Sequence, residues 1–217
     1  MRKIAILAVA MTAGVASGQN LLNNAGFEDD LGFDFSNVTN WNGFFGGPAG
    51  TLLEAFNDTG TAPRSGARAL ELTIQGDPNF PTDGFGAFTG HVQQIPGISE
   101  GAEYNLSIWA RSNGNVTNAA ELRIEWFDAA DNNIGSTGNL EMQDFLTSEY
   151  QQFSIGGVAP AGATRANAVV AVQSFLNDGI IADISIAVDD AEFVLVPAPA
   201  SAALLGLGGL VAARRRR

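Results

Sequence analysis

The chain has no cysteine, one histidine (His91) and one lysine among its 217 residues. The absence of cysteine excludes disulfide scaffolds, cysteine nucleophiles and zinc sites built from cysteine and histidine. A serine–histidine–aspartate triad would have to use His91. The metal sites that remain open to this chain are those built from oxygen ligands.

Positive charge is concentrated at the two ends. The chain carries 11 Lys+Arg residues against 23 Asp+Glu residues, a formal net charge of −12. Arg2, Lys3 and the run 214–217 hold six of these cations, so the remaining chain has five arginines against all 23 acids, about −18. Because such a surface repels phosphate backbones, we do not expect nucleic acid as a partner. A neutral partner, or one bridged by cations, fits better.

Residues 1–18 follow the order of a secretory signal peptide. A basic start precedes an apolar run over 4–15, and small residues at 16–18 come before Gln19. This order predicts a cleaved signal helix and an exported protein that begins near Gln19. The alternative is a buried N-terminal helix.

The last 22 residues, 196–217, combine a Pro-x-Pro motif, an apolar segment over 200–213 and a basic end. The motif and the basic end consist of Val196, Pro197, Ala198, Pro199, Arg214, Arg215, Arg216 and Arg217. Together with the residues just before it, the apolar segment reaches the length at which a helix spans a bilayer. The arginine cluster would stay on the cytoplasmic side, so this segment is predicted to insert into a membrane.

This arrangement resembles the PEP-CTERM sorting signal of Gram-negative bacteria, with Ala198 where that signal usually has Glu. The resemblance implies transient membrane insertion and recognition by an exosortase-type transpeptidase. It further implies removal of the tail and delivery of the body to the cell envelope, the outer surface or the extracellular matrix. The alternative is a plain C-terminal membrane anchor.

The body, residues 19–195, alternates short apolar–polar runs with clusters of Gly, Asn, Asp and Pro. Runs of period two cover 67–74, 103–110, 121–127, 151–155, 165–172 and 183–188. Period two places successive side chains on opposite faces of a strand, so each run has one apolar face. The whole chain is 46% hydrophobic, a globular balance, and with about eight to ten short strands the body is predicted to be one all-β domain. The expected fold is a two-sheet antiparallel sandwich, a jelly roll, between a signal helix and a C-terminal apolar sorting helix.

Three motifs occur in a recognisable order along this body. They are Asn20-Leu-Leu-Asn-Asn-Ala-Gly-Phe-Glu28, the turn and strand over 65–70, and the run over 188–194. They resemble the opening strand, the Ser-Gly-x-x-Ala-Leu turn and the last strand of carbohydrate-binding modules of the family 4/9/22 type. Those modules are galactose-binding-like jelly rolls. The resemblance implies this fold and makes sugar binding an expectation.

No catalytic pattern is evident among the titratable residues. His91 lies in an alternating run, where a structural role is expected rather than a catalytic one. Glu121 and Glu125 share one strand face with Arg123 between them, which predicts a solvated, ion-paired face rather than a glycosidase pair. The sequence therefore predicts a protein that is not an enzyme.

Aromatic rings beside amides are the candidate sugar-binding groups, because flat rings stack on sugars and amides bond their hydroxyls. In one predicted strand, alternation turns Trp109, Asn105 and Arg111 away from the core, which makes Trp109 the candidate stacking platform. Further rings lie in Gly-rich loops: Trp41, Phe44, Phe45, Phe85 and Phe88. Rings in such loops either rim a cleft or cap the core, and Trp41 and Phe85 complete the candidate ligand-binding set.

The resemblance to carbohydrate-binding modules also implies a structural calcium ion. Its ligands would be Glu28, which ends the first motif, and Asp189 in the last strand, with a backbone carbonyl from the turn over 65–68. Calcium takes oxygen ligands and needs neither cysteine nor histidine. The alternative is that these carboxylates are ordinary turn and surface acids.

The sequence thus predicts a secreted, non-catalytic envelope or matrix protein that binds surface or extracellular polysaccharide. The main alternative is a structural matrix protein without sugar binding, and a minor one is a glycan-active hydrolase. Outward aromatic rings in a groove would favour polysaccharide binding, and a flat polar surface would favour the structural role. Two facing buried carboxylates would favour the hydrolase.

Overall fold

The computed structural model describes residues 18–29, 37–58, 62–77, 79, 86–116, 118–177 and 180–197. The described residues contain no α-helix, and so no helix among them that is long and apolar enough to cross a membrane. Both predicted terminal helices lie outside the described residues, as does Phe85.

The predicted sorting motif is described only at its start. Val196 donates a backbone hydrogen bond to the Glu103 carbonyl at 2.8 Å, and Pro197 is the last described residue. The remainder, Ala198 onward, lies outside the described residues, so the sorting signal stays a prediction.

The described chain contains fourteen β-strands. They are β1 Asn37–Val38, β2 Trp41–Gly46, β3 Leu52–Asp58, β4 Ala69–Gln75, β5 Ala87–Pro96, β6 Glu103–Val116, β7 Ala119–Phe127, β8 Asn133–Ser136, β9 Leu140–Glu141, β10 Gln151–Val158, β11 Arg165–Ser174, β12 Leu176–Asn177, β13 Ile180–Ile181 and β14 Ile184–Leu195.

Two antiparallel sheets form the sandwich. The larger has seven strands in the order β1-β2-β5-β11-β7-β8, with β9 also paired to β7. The smaller has five strands in the order β10-β6-β14-β4-β3, and β12 pairs with β13 as a short ribbon. Most neighbours within a sheet are distant in sequence, as a jelly roll requires. The predicted all-β, two-sheet antiparallel architecture is confirmed.

The core lies between the inner faces of the two sheets and follows from the alternation. The inward residues of β6 are buried: Tyr104, Leu106, Ile108 and Ala110. The Tyr104 ring stacks on Phe193 of β14 with centroids 5.4 Å apart, and it contacts Trp126 of β7 at 6.0 Å. Because β7 belongs to the larger sheet, this aromatic cluster joins the two layers.

The opening segment, residues 18–29, does not form the strand that the resemblance implies. It runs beside β14, where the Leu21 amide donates to the Phe193 carbonyl at 2.9 Å. Asn24 and Phe27 then have positive φ angles of 45° and 56°, a conformation that ends an extended backbone. The segment is therefore a bent edge segment, fastened to the last strand.

Candidate functional site

Three neighbouring strands, β5, β11 and β7, present a continuous outer face on the seven-stranded sheet. Leu122 and Ile124 of β7 point into the core, so the residues that alternate with them point outward. The strand register aligns one outward residue from each of β5, β11 and β7, in that order, in three rows across the strands. These rows are Phe88, Gln173 and Ala119; Gly90, Ala171 and Glu121; and Val92, Val169 and Arg123.

Two phenylalanine rings lie over glycine positions on this face. A Cβ added at Gly90 would be 2.7 Å from Phe44 Cζ and 2.8 Å from Ala171 Cβ, and one added at Gly46 would be 2.7 Å from Phe88 Cζ. Only glycine leaves room for rings to rest so close to the backbone. The two ring centroids are 6.3 Å apart, and Phe88 is 43% exposed. This part of the sheet therefore offers an aromatic surface to solvent.

An open pocket of about 480 Å³ lies at the end of the same face. It is lined by Asn118, Ala119, Glu121, Asn139, Glu141, Gln143, Asp144, Gln173 and Phe175. The lining thus contains four side-chain amides, three carboxylates and one ring, Phe175, which is 55% exposed. Gln173 pairs with Phe88, so the pocket and the aromatic surface adjoin. We call the pocket together with Phe44 and Phe88 the groove.

An ion-paired network supports the floor of the groove. The Arg123 guanidinium donates to the carboxylates of Glu121 and Glu125, the latter from Nε at 2.8 Å. The Asn139 amide donates to the second oxygen of Glu121. The pairing agrees with the expectation from sequence, but Glu121 is only 1% exposed. This carboxylate is therefore buried beneath its partners rather than solvated.

Trp109, Asn105 and Arg111 share an outward face of β6, as the alternation predicts. That face belongs to the five-stranded sheet, on the opposite side of the sandwich from the groove. The Arg64 guanidinium lies 3.7 Å from the centroid of the Trp109 ring, and Arg111 lies 5.4 Å from the Tyr150 ring. One face of Trp109 is thus already covered by a side chain of this protein.

Trp41 belongs to the core and not to a ligand surface. Its side chain is 2% exposed, and its ring centroid lies 5.2 Å from that of Phe27. The indole Nε1 donates to the Asn24 carbonyl at 3.2 Å. Trp41 is therefore a core residue and not the ligand-contacting residue that the sequence predicts, because Phe27 and Asn24 of the bent opening segment contact its ring. Phe85 lies outside the described residues.

The carboxylates of Glu28 and Asp189, the predicted calcium ligands, both reach the turn formed by residues 64–68. Each accepts hydrogen bonds from backbone N–H groups of this turn. Calcium is held by carboxylate, carbonyl and water oxygens, whereas N–H groups present the positive end of a dipole. In the described part of the chain, no three acidic or histidine side chains gather as metal ligands. In this structure backbone N–H groups hold both carboxylates, and the calcium ion stays a prediction.

The groove residues Gln173, Asn139 and Phe175 have no counterpart in the candidate set drawn from the sequence. Phe44 and Phe88 were recognisable as rings that either rim a cleft or cap the core, and their Gly-rich surroundings were the available signal. What the sequence does not reveal is that β5, β11 and β7 are neighbours, since these strands are far apart along the chain.

Comparison with solved structures shows the fold. The chain is similar to the enzymatically active domain of tailspike protein 4 of bacteriophage CBA120, with a TM-score of 0.55, 21% identity, and 82% of this chain and 21% of that chain covered. It is also similar to a carbohydrate-binding module of the β-sandwich superfamily, with a TM-score of 0.50 and 13% identity. That match covers 76% of this chain and 62% of the module's chain. The comparison with the xylan-binding CBM22-1 domain of Paenibacillus barcinonensis Xyn10C gives a TM-score of 0.49 and 13% identity. It covers 84% of this chain and 97% of that domain's chain. No protein-family model and no curated protein sequence matches the chain.

The body is therefore a β-sandwich like that of carbohydrate-binding modules. The match spans about a fifth, 21%, of the chain of that tailspike domain. At these identities the similarity concerns the backbone fold, and the function of a site depends on its own residues.

Proposed function

We propose that this protein binds polysaccharide through the groove on the outer face of its seven-stranded sheet, without chemical conversion. The observation that carries the proposal is the exposed Phe88 and Phe175 beside a pocket with four side-chain amides. Large exposed rings that adjoin a polar concavity are typical of a ligand surface rather than of a solvated sheet.

The chemistry of the groove suits sugars. Phenyl rings stack on the apolar faces of pyranose rings, and Gln173 and Asn139 offer donors and acceptors to hydroxyl groups. The pocket is open to solvent, so a sugar chain can reach its lining residues. The similar module of the β-sandwich superfamily is a carbohydrate-binding module, which supports the proposal.

A hydrolase needs two carboxylates that are free to donate and accept a proton. Glu121 and Glu125 are both held by Arg123, and Glu121 is also held by Asn139. These contacts keep the carboxylates paired and support a binding role. A purely structural matrix role would not require exposed rings beside the pocket, so it is the less favoured alternative.

Polysaccharide retention in native affinity electrophoresis tests the proposal. We expect neutral polysaccharides in the gel to retard the purified protein. The double variant Phe88→Ala plus Phe175→Ala should lose about 1 to 3 kcal/mol of binding free energy, by analogy with stacking of bases on aromatic rings. Val158→Ala is the matched control, because Val158 is 60% exposed on β10 of the other sheet. Equal retention of all three proteins, or of none, would contradict the proposal.

We further propose that the protein is exported and sorted to the envelope or matrix of a Gram-negative bacterium by an exosortase-type enzyme. Support comes from the order of regions in residues 1–18 and from the Pro-x-Pro motif, apolar segment and arginines of residues 196–217. Intact-mass spectrometry of the surface fraction should find a protein without residues 1–18 and without the segment after the motif. Recovery of an intact arginine tail would instead identify a plain membrane anchor.

A further inference from the structure

The turn formed by residues 64–68 holds two carboxylates from opposite ends of the body. The Ala67 amide donates to both oxygens of Glu28 at 3.0 Å, and the Arg68 amide donates to Oε1 at 3.2 Å. The amides of Arg64 and Ser65 donate to Asp189 Oδ2 at 2.8 and 3.0 Å. One short turn thereby joins the opening segment to β14.

These amides satisfy a carboxylate that water does not reach. Asp189 is fully buried, and its other oxygen, Oδ1, accepts from the Asp190 amide at 2.7 Å. Burial raises the pKa of Asp189, and the three N–H donors oppose that shift. A row of N–H groups around an anion supplies the positive potential that a cation would otherwise supply.

The place of Glu28 depends on the glycine at the centre of the turn. Gly66 has a φ of +62°, and a Cβ added there would lie 2.0 Å from Glu28 Oε1. A side chain at this position would therefore occupy the position of the carboxylate. By contrast, Gly97 has a similar φ of +79° but meets nothing within 4 Å.

The turn contacts Trp109 through the side chain of Arg64. The Arg64 guanidinium pairs with Asp190 and lies over the indole, with Cζ 3.7 Å from the ring centroid, while Ser65 Oγ donates to Asp190 Oδ1 at 2.7 Å. A guanidinium over an indole is a favourable cation–π contact. Trp109 thus contacts the turn that binds both carboxylates.

We infer that the turn 64–68, with Glu28, Asp189 and the Arg64–Trp109 stack, forms a metal-free amide clamp that fastens the two ends of the body. Backbone N–H groups perform the role that the resemblance to carbohydrate-binding modules implies for calcium, and Trp109 stabilises the clamp instead of binding sugar. Backbone N–H groups already take three of the roughly four acceptor positions of each carboxylate, so a calcium ion would compete with them for these oxygens.

Thermal melts of the full-length protein in calcium chloride and in EGTA test the clamp. We expect equal Tm values in the two buffers. A stabilising calcium ion at 100 times its dissociation constant would instead raise Tm by roughly 5 to 10 °C for a protein of this size. A rise that is present in the wild type and lost in Glu28→Gln would overturn the inference.

Two variants test the parts of the clamp. Gly66→Ala should lower Tm by about 4 °C or more beyond the loss seen in Gly97→Ala, the matched control for left-handed strain alone. Trp109→Ala should lower Tm and leave polysaccharide retention per folded molecule unchanged. Equal Tm values for the two glycine variants, or lost retention by a stable Trp109→Ala protein, would refute the corresponding part.

Discussion

His91, the one histidine of the chain, points into the core from β5. It is fully buried, and within the described part of the chain neither of its ring nitrogens has a hydrogen-bond partner. Thr89, on the same face of the strand, also buries an unpartnered hydroxyl. Desolvation lowers the pKa of His91 from 6.5 to about 4, because burial disfavours the charged imidazolium. The folded protein therefore keeps this side chain neutral.

This burial makes stability depend on pH in a defined direction. Between pH 6.5 and about 4 the unfolded chain binds a proton at His91 and the folded chain does not. The free energy of unfolding therefore falls as the pH falls through this window, by about 3 kcal/mol in total, and this contribution is constant above pH 7.

His91→Gln removes the titrating group, so urea melts from pH 7 to pH 4 should show a shallower loss of stability than the wild type. Thr89→Val is the control, since it changes the neighbouring buried polar group without adding or removing a proton site. The control should keep the wild-type slope. Parallel slopes for wild type and His91→Gln would show that His91 does not contribute to the pH dependence.

At the level of elements, strand β7 carries a buried negative charge, the Glu121 carboxylate, at the floor of the groove. Glu121 is 1% exposed and depends on Arg123 and Asn139 for compensation. Removing one partner of a buried ion pair leaves an uncompensated charge, which is far more costly than losing an exposed pair. The network on β7 therefore stabilises the floor of the groove as well as shaping it.

Arg123→Met should lower the free energy of unfolding by about 3 to 5 kcal/mol. The double variant Arg123→Met plus Glu121→Gln should recover part of this loss, because it also removes the unpaired negative charge. Chemical denaturation of the three proteins at neutral pH measures both effects. A double variant no more stable than Arg123→Met would mean that packing, and not charge, accounts for the loss.

Strand β5 shows where prediction from sequence ends. Alternation correctly predicted the faces of β6 and β7 because their inward residues are apolar. In β5 the polar Thr89, His91 and Gln93 face the core, whereas Phe88 faces solvent, so hydrophobic periodicity does not reveal the faces of this strand. Gln93 is accommodated by exchanging hydrogen bonds with the Asn23 backbone at 2.7 and 2.8 Å.

The fold class was predictable because period-two runs and turn residues are local signals. The groove was not, since it depends on long-range pairing of β5 with β11 and of β11 with β7. Trp109 was correctly predicted to face outward, but the Arg64 side chain that covers it comes from a distant turn. Local patterns specify which way a side chain points, and tertiary contacts specify what it meets.

At the scale of the whole molecule, the net charge of the body and the charged residues that line the pocket are both negative. The body has about 18 more acids than basic residues, and the lining of the pocket contains three carboxylates and no arginine or lysine. A polysaccharide that carries carboxylates would meet repulsion both at long range and in the groove, whereas a neutral one would not. The groove should therefore select uncharged chains.

A neutral polysaccharide and its carboxymethylated derivative form a matched pair for this prediction. At about 0.02 M salt we expect retention on the derivative to be roughly tenfold weaker than on the parent, because the Debye length there exceeds 10 Å and repulsion is not screened. At about 0.5 M salt the difference should shrink, while retention on the neutral parent should hardly change. Affinity electrophoresis at both salt concentrations measures the four values. Equal or stronger retention on the carboxymethylated chain at low salt would show that the acidic surface does not determine which glycan binds.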